Sequence, residues 1–271
     1  MNLSELFSFL ERLGKHPQKG LSQNFLIEKN IIKKILQTAE IQSGDRVLEI
    51  GPGPGALTKA LLDAGAQVFA VEKDRLLSAE LNRLQTVDQR LILTCGDFLN
   101  FDLNSLAPKL KVVANLPYSI TTPILEKLLN HHTLFSSFTL MVQKEVAQRM
   151  MATHGSKEFS SLSLFLQFYT TYASSFSVSS SCFYPRPNVD STVIRLNLRS
   201  QIFLENPKPF FHLARHSFQQ RRKMITTSLK NLYSYQKIQA ALIQIGARID
   251  ARPESLSLSQ WIQLYQTLGS V

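Results

Sequence analysis

Apolar residues recur at two different periods along this chain, and the change from one to the other outlines its elements. Leu3, Leu6, Phe7, Leu10 and Leu13 share the spacing of one helical face, and the pattern stops near Gly14. Lys15-His16-Pro17-Gln18-Lys19-Gly20 reads as a loop. A second amphipathic helix follows, with Ile27, Ile31, Ile32, Ile35 and Leu36 on one side. From Arg46 the apolar runs become short and rich in β-branched residues, which predicts strands at 47–50, 68–71, 91–94, 111–114 and 138–142. Helical patterns occupy 56–62, 121–130, 144–151 and 160–167, and 168–178 reads as extended. Residues 191–196 predict a late strand, antiparallel and closing the sheet. Beyond Pro207 and Pro209 the pattern is helical, with helices near 238–245 and 256–268. Strands alternating with helices predict an α/β fold, Rossmann-like, with a mostly parallel central sheet and a small C-terminal helical domain. The domains are expected at 1–203, including a helical N-terminal segment over 1–40, and at 204–271.

The punctuation of these elements carries the candidate chemistry. Gly51-Pro52-Gly53-Pro54-Gly55 lies between a strand and a helix, where glycines let a ligand approach the backbone. Its G-x-G-x-G spacing differs from the dinucleotide fingerprint, and two prolines stiffen it, so it suits a nucleoside better than a pyrophosphate. Glu72 ends the next strand, where an acid can accept both ribose hydroxyls, and Asp97 ends the third, where it can accept from an adenine amino group. Each acid alone also fits a surface or capping carboxylate. Asn115-Leu116-Pro117-Tyr118 leaves a fourth strand as a rigid extended turn, because proline keeps Leu116 out of helical geometry. Its amide, carbonyls and aromatic face suit a flat, amino-bearing ring; a strand end with an Asx turn and a buried Tyr is the alternative. Phe183-Tyr184-Pro185-Arg186-Pro187 is a second proline-stiffened aromatic segment, either an opposing wall to Tyr118 for a sandwiched base or a connector.

Charge adds a partner class. The net charge is +10, and it divides into +3 over residues 1–34, +1 over 35–200 and +6 over 201–271. Basic ends around a nearly neutral middle favour a polyanion through counterion release, and a solvated basic face fits the same count. Arg221-Arg222-Lys223 forms a cationic turn in the C-terminal segment. No apolar run approaches a membrane span, and the N-terminus does not resemble a signal peptide. Cys95 and Cys182 form no ligand or disulfide spacing, which fits a reducing cytoplasm. His212 and His216 stand at helical spacing without acidic or thiol partners, so no metal site is expected.

Taken together, Gln23-Asn24-Phe25-Leu26, Val47 through Gly55, Glu72, Gly96-Asp97, Asn115 through Tyr118, Phe183 through Pro187 with Val189-Asp190-Ser191, and Phe218-x-Gln220-Arg221-Arg222-Lys223 resemble the ribosomal RNA adenine N6,N6-dimethyltransferases. These are S-adenosylmethionine-dependent enzymes that modify small-subunit rRNA, and the matches run in the family's order over nearly the whole chain. The resemblance implies that Asn24 and the Leu26 backbone contact the cofactor and that the Gly51 and Gly53 backbone passes under its methionine part. It implies that Glu72 takes the ribose, Asp97 the adenine amino group, and that Asn115 touches both cofactor and target. Tyr118 and Phe183 would stack on the target adenine, with the Leu116 or Pro117 carbonyl as a further acceptor, and Arg221, Arg222 and Lys223 would hold RNA. The implied partner is small-subunit rRNA in an immature subunit, methylated at two adjacent adenines of a hairpin near the 3′ end. S-adenosylhomocysteine is the implied product, and the enzyme is expected to be cytoplasmic and monomeric, with no metal and no membrane partner.

Two positions depart from the family pattern. Ser22 stands where glycine is usual, and Val178-Ser179-Ser180-Ser181 replaces a segment commonly rich in proline, which predicts a more mobile Phe183 loop. The rival readings are a resistance-type methyltransferase of large-subunit rRNA, a non-catalytic RNA-binding relative, and a nicotinamide dehydrogenase, which the loop spacing disfavours.

Overall fold

Helix α1 (Leu3–Arg12) starts at Asn2, whose side chain accepts from Glu5 N at 2.8 Å while Glu5 reaches back to Asn2 N at 2.7 Å. The computed structural model describes residues 1–17 and 23–269, so Ser22 lies outside the described residues. After them come strand β1 (Phe25–Leu26), α2 (Lys29–Thr38), β2 (Arg46–Ile50), α3 (Ala56–Asp63), β3 (Gln67–Glu72), α4 (Arg75–Val87) and β4 (Leu91–Cys95). Helix α4 is not among the predicted elements, although Leu77, Leu81 and Leu84 share one helical face. Asp74 starts it by accepting from Leu76 N and Leu77 N.

The chain continues through β5 (Leu110–Asn115), α5 (Thr121–Asn130), β6 (Phe135–Gln143), α6 (Lys144–Met151), α7 (Ser161–Tyr169), β7 (Thr170–Val178), β8 (Phe183–Tyr184) and β9 (Ser191–Leu198). Phe168 and Tyr169, expected in an extended run, complete α7 instead. A seven-stranded sheet forms in the order β4-β3-β2-β5-β6-β9-β7. Strands β4 through β6 pair in parallel, and β9 lies antiparallel on β6 with Phe138 opposite Leu196. The mostly parallel sheet with an antiparallel late strand agrees with the pattern of apolar runs. Parallel strands are covered on both faces, which is why Val47, Leu48, Val112 and Val113 are all fully buried in unbroken apolar runs. Helices α2 and α3 contribute Ile32, Ile35, Leu57 and Leu61 to that core. A separate pairing, β1 with β8, sets Phe25 opposite Tyr184 and Leu26 opposite Phe183.

Helices α8 (Lys208–Gln219), α9 (Ile225–Ser228), α10 (Tyr235–Gln244) and α11 (Leu258–Leu268) follow. The chain divides into two compact units: Met1–Ala147 with Tyr172–Leu198, and Gln148–Thr171 with Arg199–Val271. A boundary between 203 and 204 therefore leaves out residues 148–171, which belong with the later segment. The reason is aromatic packing: Phe165 and Phe168 of α7 meet Phe211 of α8 edge to face, with centroids 4.5 and 5.1 Å apart. Within the same unit Trp261 stacks on Phe218 and donates to the Pro253 carbonyl. No helix among the described residues is long and apolar enough to cross a membrane.

Candidate active site

In the sheet order β2 lies between β3 and β5, so successive strands run outward on both sides of it. At such a switch point the carboxyl ends of the strands leave a crevice. A cavity opens there, lined by Gly51, Gly53, Glu72, Asp97, Asn115 and Tyr118, and also by Asn24, Phe25 and Leu26 of the N-terminal segment. All of the expected cofactor residues thus meet in one place.

The glycine turn is shaped by its neighbours. Gly53 has φ +58°, and a Cβ there would stand 3.3 Å from the Phe25 ring, so only glycine allows both the backbone path and the ring above it. Its N–H donates to Glu72 Oε2 at 2.9 Å, which ties the turn to the end of β3. Gly55 begins α3 at φ +84°, where a Cβ would fall 2.7 Å from Leu81 Cδ2.

The acids divide by environment. Glu72 is buried, and desolvation raises its pKa although Oε1 accepts from Asp74 N at 2.7 Å and Oε2 from Gly53 N. The carboxylate lies in the cavity wall and, beside these backbone donors, retains acceptor capacity for a ligand hydroxyl. Asp97 accepts from Lys73 Nζ at 2.8 Å and from Leu99 N at 2.9 Å, and chiefly Lys73 holds its carboxyl below the usual range. Asp97 is thus an anion, and Lys73 already occupies one of its oxygens. Glu49 was not anticipated. It is an acid inside the apolar run Val47-Leu48-Glu49-Ile50, it lines the cavity, and burial pushes its pKa up to about 8. Its Oε2 has no hydrogen-bond partner among the described residues. An acid in an otherwise apolar strand is the signal that could have marked it.

Asn115 ends β5, and its Nδ2 donates to the Asn24 carbonyl at 3.1 Å. That bond fixes which way the amide points. Its Oδ1 is buried with no partner among the described residues. A buried carbonyl oxygen without a donor costs about 1–3 kcal/mol, so this acceptor is set to take one. Next to it, the Pro117 carbonyl accepts from Ile120 N and from Thr121 Oγ1, both at 3.2 Å. Tyr118 holds its hydroxyl 2.8 Å from Ser191 Oγ, and burial raises its pKa, so the phenol stays protonated.

Phe183 is placed elsewhere. Its ring is 3 % exposed and sits in the apolar core with Val178, Val193 and Met141; Phe183 does not itself line the cavity, although Met141 and its strand partner Leu26 do. Strand β8 pairs with β1, and in this structure Phe183 is buried and shows no open ring face toward Tyr118. In the serine segment ahead of it, Ser180 N donates to Asp190 Oδ1 at 2.9 Å. In the other unit, Arg221, Arg222 and Lys223 are exposed on the turn after α8, and Arg221 also donates to the Lys157 carbonyl.

The family model described as ribosomal RNA adenine dimethylase matches residues 14–269. The chain belongs to this family. Among curated relatives of the dimethylase, the ribosomal RNA small subunit methyltransferase A of Protochlamydia amoebophila is 48% identical, covering 98% of this chain and 96% of that protein. A dimethyladenosine transferase from Plasmodium falciparum has a similar structure, with TM-score 0.77 and 28% identity over 89% of this chain and 95% of that one. The 23S rRNA methyltransferase ErmE aligns with the dimethylase at TM-score 0.72 and 27% identity, covering 90% and 99% of the two chains. The α/β fold with its mostly parallel sheet is thus that of S-adenosylmethionine-dependent methyltransferases.

Proposed function

We propose that this dimethylase transfers methyl groups from S-adenosylmethionine to the exocyclic nitrogen of adenines in small-subunit rRNA. Two transfers to each of two adjacent adenines, in a hairpin near the 3′ end of the rRNA within an immature subunit, form N6,N6-dimethyladenosine. The single observation that carries the chemistry is the unpartnered, buried Oδ1 of Asn115, a residue that lines the cavity. The small-subunit target rests on the 48% identity to a small-subunit methyltransferase, against 27% to the 23S enzyme.

The residues present fit the cofactor. Positive φ along the glycine turn, with the Phe25 ring above Gly53, makes a cradle that a Cβ would fill. Glu72 is an acceptor in the cavity wall suited to ribose hydroxyls, Asp97 is an anion suited to an amino group, and Asn24 and Leu26 line the cavity from the N-terminal segment. When bound, S-adenosylmethionine supplies a methyl group on a sulfonium, which leaves readily.

The chain's own task is to make the adenine amine nucleophilic, since its lone pair is delocalised into the ring. Asn115 Oδ1 accepts one amine hydrogen and so draws the nitrogen toward pyramidal geometry. A second acceptor completes the aim. The Pro117 carbonyl already takes two donors, so the Leu116 carbonyl is better suited to that role. Tyr118, fixed through Ser191, offers the stacking face beside that acceptor pair. Because Tyr118 keeps its proton, no residue of the turn acts as a strong base, and water takes the proton released.

To test this, the protein and labelled cofactor are incubated with immature small subunits, large subunits and naked rRNA, and methylated nucleosides are mapped by mass spectrometry. Dimethyladenosine is expected in small-subunit rRNA. Label confined to large-subunit RNA would overturn the substrate, and RNA binding without label would overturn the activity.

A further inference from the structure

Lys15 is a lysine shut away from water. Its side chain is 3% exposed, that of Asp74 is 4% exposed, and the two form an ion pair. Gln23 Nε2 donates to the same Asp74 oxygen at 2.9 Å. The other oxygen accepts from Leu76 N at 3.1 Å and Leu77 N at 3.2 Å, so Asp74 is held at the start of α4. Burial works to raise the Asp74 carboxyl, and Lys15 and Gln23 overcome it, leaving its pKa below the ordinary value.

Burying such a pair gains little stability by itself, because the desolvation of two charges offsets their attraction. What it joins is more informative. On one side stands the N-terminal segment: α1 ends where Lys15 N bonds the Leu10 carbonyl, and Leu6 and Leu10 pack with Phe25 and Leu77. On the other side stands the cavity wall, since Asp74 N donates to Glu72 Oε1 and Glu72 Oε2 holds Gly53 N. Directly after Gln23, the Asn24 carbonyl accepts from Asn115 Nδ2, the bond that fixes the Asn115 amide and leaves its Oδ1 unpartnered among the described residues.

We infer that Lys15 and Asp74 form a latch that positions the Asn24 carbonyl against Asn115, and with it Glu72 against the glycine turn. Both are positioning residues: neither lines the cavity, and each acts through a group that does. This rests on the reading of the cavity as the cofactor site.

The full chain and its Lys15→Met and Asp74→Asn variants are compared by calorimetric binding of S-adenosylhomocysteine, by kcat at saturating cofactor, and by rRNA affinity. Exchange of the Asn115 side-chain amide protons is followed by NMR. Each variant is expected to weaken S-adenosylhomocysteine by about tenfold and to lower kcat by at least as much, since small misplacements of aiming groups are costly. Asn115 amide exchange should quicken while rRNA affinity stays within about twofold. Unchanged cofactor affinity, kcat and Asn115 exchange in folded variants would overturn the latch and leave the pair a purely structural contact. Should Asp74→Asn fail to fold, Lys15→Met decides alone, because it leaves the α4 cap in place. Wild-type protein that binds no S-adenosylhomocysteine would instead refute the cofactor reading itself, a separate failure.

Discussion

Asn115 divides its amide between two tasks, and each half has its own partner. The nitrogen is spent on Asn24, and the oxygen is kept for a ligand. Asn115→Ala removes the acceptor together with the bond to the Asn24 carbonyl, so it is expected to lower kcat by about 10²–10³-fold. Affinity for rRNA, measured by filter binding, should change little; a large loss there would contradict the aiming role. Glu49 makes a different prediction. Its folded-state pKa of about 8 lies above the ordinary 4.5, so the folded protein holds a proton that the unfolded chain has released between those values. The stability linked to it is complete below about pH 4.5 and is lost as pH rises through about 8. Glu49→Gln mimics the protonated form. Between about pH 6 and about pH 9 the variant should lose less unfolding free energy than wild type, by up to about 3 kcal/mol, as read from denaturant curves.

At the scale of elements, the short pairing of β1 with β8 does more than its length suggests. It brings Phe25 over the glycine turn and sends Phe183 into the core. Phe183→Ala is therefore expected to destabilise the protein by about 3–5 kcal/mol, the cost of emptying a core ring. Phe183→Leu should restore most of that stability. A ring serving only to stack on a base would leave the unfolding midpoint unchanged on either substitution. Helix α5 offers a related case: Lys127 donates to the Leu99 carbonyl at 2.9 Å and to the Phe101 carbonyl, which pins the turn that carries Asp97.

Over the whole molecule, the cavity and most of the positive charge fall in different parts of the chain. The acceptors and acids of the cavity lie in the sheet-bearing unit, and most of the positive excess lies in residues 201–271. Replacing Arg221, Arg222 and Lys223 by alanine is expected to weaken rRNA binding and to reduce the slope of log affinity against log salt by about 2–3. An unchanged slope would show that RNA is held elsewhere. The expectation of a catalytic unit followed along the chain by a basic one meets a complication in residues 148–171, which belong with the later segment although the sheet resumes after them.

The sequence by itself determined the strands, the glycine turn and the strand-end groups Glu72, Asp97 and Asn115, because periodicity, φ preference and turn chemistry are local properties. Runs such as Val47-Leu48 and Val112-Val113 read directly as buried parallel strands. Tertiary structure alone decided which way the Asn115 amide points, that Glu49 is buried in the cavity wall, that Phe183 is a core ring, and that Lys15 finds Asp74. Those outcomes join residues far apart in the chain. A lysine in a loop or a phenylalanine before a proline carries no local mark of the partner that will bury it.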